Sequence, residues 1–135
     1  MRSLRSIVVS TLSRVEVASA IWRKHRLAEL SVDEAATLAP DFAADYHGQD
    51  GVEARFASVP VAPAILEGAS RLLAAHDLRA SDAIQLATAL AVRTADPDCG
   101  RFACCDRRLR AAAAEGFAME PSSAFASRRG GRMER

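Results

Sequence analysis

The chain has 135 residues, the size of one domain, and half of them are hydrophobic, mostly alanine and small aliphatics with one Trp and one Tyr. A formal charge of +1 excludes strong attraction to nucleic acid or membrane through net charge alone. No apolar run approaches the ~20 residues of a membrane span, and the opening Met-Arg-Ser-Leu-Arg lacks the apolar block of a signal peptide, so a cytoplasmic protein is expected.

Ile7-Val8-Val9 is a short β-branched run, and Ser10-Thr11 after it reads as an N-cap pair. A helix is expected through LSRVEVASAIWRKHR, with Leu12, Val15, Ser19 and Trp22 on one stripe. Ser31-Val32-Asp33-Glu34 has the pattern of a capping box. It opens an Ala-rich helix to about Tyr46, stopped by Gly48 and Gly51. Phe56 to Val61 reads as a strand broken by Pro60 and Pro63. Ile65, Leu66, Ala69, Leu72 and Leu73 then repeat at helical spacing up to His76.

The next helix carries Ala83, Ile84, Leu86, Ala87, Leu90 and Ala91, nearly apolar all round, as a buried helix is. Asp96-Pro97-Asp98 is a turn, and Arg101 to Cys105 reads as a buried strand. Arg107 to Glu115 is a short Ala-rich helix with Gly116 at its C-cap. Phe117-Ala118-Met119 forms a brief last strand ended by Pro121. Residues 122–135, rich in Ser, Gly and Arg, read as a disordered tail.

Strands alternating with helices predict an α/β fold with a parallel sheet and helices on both faces. Three carboxylates stand out against that pattern. Glu16 lies in the first turns after one strand, Asp106 directly follows another, and Asp82 begins the apolar helix. All three are expected to share one rim. Each also has a plain explanation, because an acidic first turn complements the helix dipole and Asp106 is placed to cap the following helix. Gathered together, they would repel one another and raise their pKa values, a penalty that a divalent cation removes. Metal held this way activates water and stabilises the leaving oxygen of a phosphodiester.

Three segments carry a family resemblance: VVSTLSRVEVASAIWRKHR, LRASDAIQLATAL and FACCDRRLRAAAAEGFAMEP. In order and spacing they resemble the PIN domain, in the VapC-like branch of bacterial toxin–antitoxin ribonucleases, over Val8 to Pro121. The resemblance implies a PIN-like domain over residues 1–121 and an endoribonuclease dependent on Mg²⁺ or Mn²⁺. It also implies a homodimer restrained by a small antitoxin. Residue by residue, Glu16 falls on the family's second acidic position, Asp82 on its third and Asp106 on its fourth, as catalytic residues and metal ligands. Ser81 beside the third would assist by hydrogen bonding, and Arg107 after the fourth would contact RNA.

The departure is at the start. Family members open with a strand ending in an Asp-Thr-Ser or Asp-Ser-like motif, then a helix, ahead of the stretch matched from Ile7 onward. That N-terminal strand–helix unit is missing here. Its strand is central to the family's sheet and its Asp is a principal metal ligand, so its loss would strip partners from two neighbouring strands and expose their edges. A start lying upstream of Met1 is the favoured explanation, and a degenerate remnant the other. The rival function is a non-catalytic PIN-like protein that binds an antitoxin or a sister subunit.

Seventeen of the 18 basic residues are Arg, which fits a GC-rich coding sequence as well as phosphate binding. Arg101, Arg107, Arg108 and Arg110 stand near Asp106, where an RNA path or solvated helix faces would both use them. Cys99, Cys104 and Cys105 are too poor in neighbouring His for a zinc site and read as structural, with Cys104 and Cys105 on opposite strand faces. His25, His47 and His76 are scattered and receive no catalytic role. Trp22 is expected in the core or at a dimer contact.

Overall fold

The computed structural model describes residues 7–48, 56–104 and 106–119. They form a mixed α/β protein in two compact units, Met1–Val61 and Ala62–Arg135. The proposed tail, Cys105, Gly51 and Pro121 lie outside the described residues.

In the first unit β1 (Ile7–Ser10) pairs in parallel with β2 (Phe56–Val59), Ile7 opposite Phe56 and Ser10 opposite Val59. The crossover between them consists of α1 (Ser13–Arg26) and α2 (Val32–His47). The expected N-cap pair works differently. Ser10, only 1% exposed, turns its hydroxyl to accept the Leu12 N–H at 3.1 Å, and Leu12 becomes a cap residue with no side-chain bond. The expected stripe on α1 also shifts. Val15 is 66% exposed, whereas Ala18 and Ile21 share a cavity with Ala39, Phe42 and Ala43 of α2. Trp22 is half-buried, edge-on to His25 with ring centroids 5.8 Å apart.

His25 has a structural task. Its Nδ1–H donates to the Leu30 carbonyl at 3.0 Å, closing the link between the two helices. That link contains Ala28 at φ 58°, a left-handed backbone that L side chains adopt at a cost. The capping box forms as read: Glu34 N–H donates to Ser31 Oγ at 3.0 Å and Ser31 N–H to Glu34 Oε1 at 3.3 Å. Gly48 ends α2 at φ 77°. Packing continues through Phe42, whose ring lies 6.1 Å from Tyr46 and 6.2 Å from Phe56.

In the second unit α3 (Pro63–Ala75) and α4 (Ala80–Ala95) pack along their lengths, close enough for Gly68 to face Ala87. The apolar α4 is the central element. Ala83, Leu86, Ala87 and Thr88 are buried, and the Thr88 hydroxyl is satisfied by the Ile84 carbonyl at 2.8 Å. β3 (Arg101–Phe102), α5 (Arg107–Ala113) and β4 (Ala118–Met119) follow, the two strands parallel. Of the strand expected over residues 101–105, the described residues show Arg101 and Phe102 paired with Ala118 and Met119, while residues 103 and 104 are not strand. Cys104, beyond it, packs with Leu78, Phe102 and Phe117 against the core of Leu86, Leu109, Ala112 and Ala113. This is the small-hydrophobe role expected of it, without the strand.

Among the described residues the strands thus make two parallel pairs, β1–β2 and β3–β4, where one continuous sheet was expected. No described helix is long and apolar enough to cross a membrane.

Candidate functional site

The second unit brings two of the candidate carboxylates together. Asp82 sits in the first turn of α4, placed there by an N-cap at Arg79 in extended backbone (φ −72°, ψ 156°). Asp106 is the N-cap of α5: its Oδ1 accepts the Leu109 N–H at 3.0 Å. The plain explanation for Asp106 therefore holds, and does not exclude a second role. The turn from β3 into α5 is further fixed by Arg110, whose Nη1 donates to the Cys104 carbonyl at 3.0 Å.

Burial pushes the Asp82 carboxyl above the ordinary carboxylate range, the negative charge of Asp106 pushes it further, and the Arg79 guanidinium pulls the other way. Asp106 is thus near enough for its charge to act on Asp82. Arg79, to which the sequence drew no attention, approaches the second carboxylate as well, its Nη2 3.6 Å from Asp106 Oδ2. A lone arginine ahead of a helix carries no signal of its own; only the fold shows it facing both acids.

Glu16 is in the other unit, half-buried in the first turn of α1, with its N–H bonded to the Leu12 carbonyl at 3.1 Å. Ser81 is half-buried beside Asp82, and Arg107 is exposed at the first position of α5. The other arginines near Asp106 separate by task. Arg110 holds the β3–α5 turn, and Arg108 pairs with Asp77 at 3.3 Å in a surface contact of small energetic weight. Arg101 is exposed on β3.

The donor set suits a hard divalent cation. Asp82 and Asp106 offer carboxylate oxygens, and Mg²⁺ or Mn²⁺ is commonly held by one or two carboxylates completed by water and phosphate. Their mutual repulsion is a cost that a shared cation removes. Among the described residues, no three His, Cys, Asp or Glu side chains gather in a group that could hold a metal ion. No protein-family model and no curated protein matches the chain.

Proposed function

We propose that this chain is a PIN-type endoribonuclease dependent on Mg²⁺ or Mn²⁺, the cytoplasmic toxin of a toxin–antitoxin pair, acting as a homodimer restrained by a small antitoxin. The observation that carries the reading is the placement of Asp82 and Asp106 at the starts of α4 and α5, where the charge of Asp106 helps to raise the Asp82 carboxyl above its ordinary range.

In this reading Asp82 and Asp106 are catalytic carboxylates that hold the metal, and Glu16 keeps the catalytic role that the resemblance implies. A divalent ion bound by the two aspartates supplies an acidified water and charge stabilisation for the leaving oxygen. Ser81 donates a hydrogen bond beside Asp82, and the exposed Arg107 holds a phosphate of the RNA. The cap bond from Leu109 fixes one oxygen of Asp106, so the carboxylate is oriented before any ligand arrives.

Cleavage of a mixed RNA by the purified full chain, with MgCl₂ and with EDTA, tests the proposal. Metal-dependent cleavage abolished by Asp106→Asn supports it. Absence of cleavage in the unsubstituted chain, or cleavage that persists in EDTA, refutes it. The intact mass of the protein from its native host, read against the DNA upstream of Met1, shows whether a further acidic strand belongs to it.

The second reading is a non-catalytic PIN-like protein that binds an antitoxin or a sister subunit. It draws on the absence of a three-residue metal-ligating group among the described residues. A melting temperature raised by a co-expressed antitoxin, and unmoved by Mg²⁺ or Mn²⁺, favours it.

A further inference from the structure

Helix α3 turns Ile65 and Ala69 into the core and leaves its opposite face to solvent. On that face Leu66 is 47% exposed and Leu73 41%, two turns apart. Ser70 stands between them, and its hydroxyl donates to the Leu66 carbonyl at 2.9 Å, so covering the face strands no hydroxyl. Glu67 and Arg71 are exposed one turn apart along one flank of the same face. Among the described residues neither makes an ion pair. The stripe is therefore apolar at its ends, small at its centre, and edged by one charge of each sign.

We propose that this face of α3 docks a second copy of the chain, the two α3 helices running antiparallel about a twofold axis at the level of Ala69 and Ser70. The symmetry of the positions carries the inference. The midpoint of Leu66 and Leu73 and the midpoint of Glu67 and Arg71 both fall at Ala69–Ser70. A twofold interface must complement itself, residue i meeting residue j and j meeting i. In the antiparallel arrangement Leu66 faces Leu73 of the partner subunit, and Glu67 faces Arg71 of the partner subunit, each contact made twice. The twofold also keeps the charged flank of one helix beside the charged flank of the other. A parallel arrangement would instead set each of these charges against its own copy, which repels it. The inference deepens the homodimer of the reading above by giving it a surface, and rests on that part of it alone.

Sedimentation equilibrium of the full chain from about 2 to 200 μM, without RNA or metal, tests it. One pair of short helices is a small interface, so dimers with a micromolar dissociation constant are expected. Glu67→Arg and Arg71→Glu each bring like charges together twice per dimer, and each should weaken it at least about tenfold. The two exchanges combined in one chain restore opposite charges and should bring the constant back to within about threefold of the unsubstituted value. Leu66→Gln with Leu73→Gln should leave a monomer. A dimer equally tight in every variant overturns the α3 surface and leaves the homodimer standing elsewhere on the chain. Single exchanges that weaken the dimer without rescue by the double exchange overturn the antiparallel pairing. A monomeric unsubstituted chain at the highest concentration overturns the inference and the homodimer together. All substituted side chains are exposed, and unchanged circular dichroism confirms that the chains compared are equally folded.

Discussion

Replacing Asp106 by Asn and by Ala separates its two tasks. The alanine variant loses the bond from the Leu109 N–H, and loss of an N-cap costs about 1 kcal/mol. The pair with Arg79 adds little, since the side chains are 76% and 36% exposed and such pairs contribute at most ~1 kcal/mol. Relief of the repulsion felt by Asp82 offsets part of the loss. For a chain of this size the net change lowers the melting temperature by about 3–6 °C. Asparagine caps a helix about as well as aspartate, so Asp106→Asn should melt within about 2 °C of the unsubstituted chain. Thermal unfolding followed by circular dichroism near neutral pH, without metal, measures both. The asparagine variant should then show no rise in melting temperature with MnCl₂ if the unsubstituted chain shows one. An Asp106→Asn protein as destabilised as Asp106→Ala would refute the reasoning, because charge and not the cap would be holding α5.

Asp82 binds its proton more tightly in the folded protein than in the unfolded chain, so its contribution to stability is present at low pH and is lost as pH climbs through its raised value. The melting temperature of the unsubstituted chain minus that of Asp82→Asn should therefore be larger at about pH 4 than at about pH 7, and a flat difference would remove the shift. Tyr46 is 6% exposed and its hydroxyl has no hydrogen-bond partner among the described residues. Tyr46→Phe should accordingly raise stability by about 0.5–1 kcal/mol in urea unfolding, and a loss would place a partner for the hydroxyl in the native protein. Ala28→Gly relieves the left-handed backbone at φ 58° and should be neutral or stabilising by up to ~1 kcal/mol; a clear loss would contradict the strain.

Local chemistry was legible where a residue acts on its own neighbours. Ser31 and Glu34 announce their helix because both halves of the capping box lie within one turn. The apolar run of α4 announces burial of Ala83, Leu86 and Ala87, but Ile84 and Leu90 are only half-buried and Ala91 is exposed, so the helix keeps a face to solvent. Asp106 reads correctly as a cap because its partner, the Leu109 N–H, also lies within one turn. The stripe on α1 misled because periodicity gives a face but not its partner: Ala18 and Ile21 face α2 across a shared cavity, and Val15 is left in solvent. The strand after Gly100 was read too long because pairing is decided by residues 118–119, outside the window being read. Arg79 was invisible: its importance comes from facing Asp106, twenty-seven positions later, which no local pattern encodes.

The cap on α5 also makes the site observable from the backbone. The Leu109 amide is the hydrogen that Asp106 Oδ1 holds, and the Leu109 side chain is buried in the core with Ala112 and Ala113. Opening the cap exposes that hydrogen to exchange, whereas motion of the Asp106 Oδ2 side alone does not. The exchange rate of one amide therefore reports how firmly the carboxylate is held, without substrate, cleavage or any label at the site. A cation that draws Asp106 away from its helix would speed that exchange, and one that binds to the orientation already set would slow it.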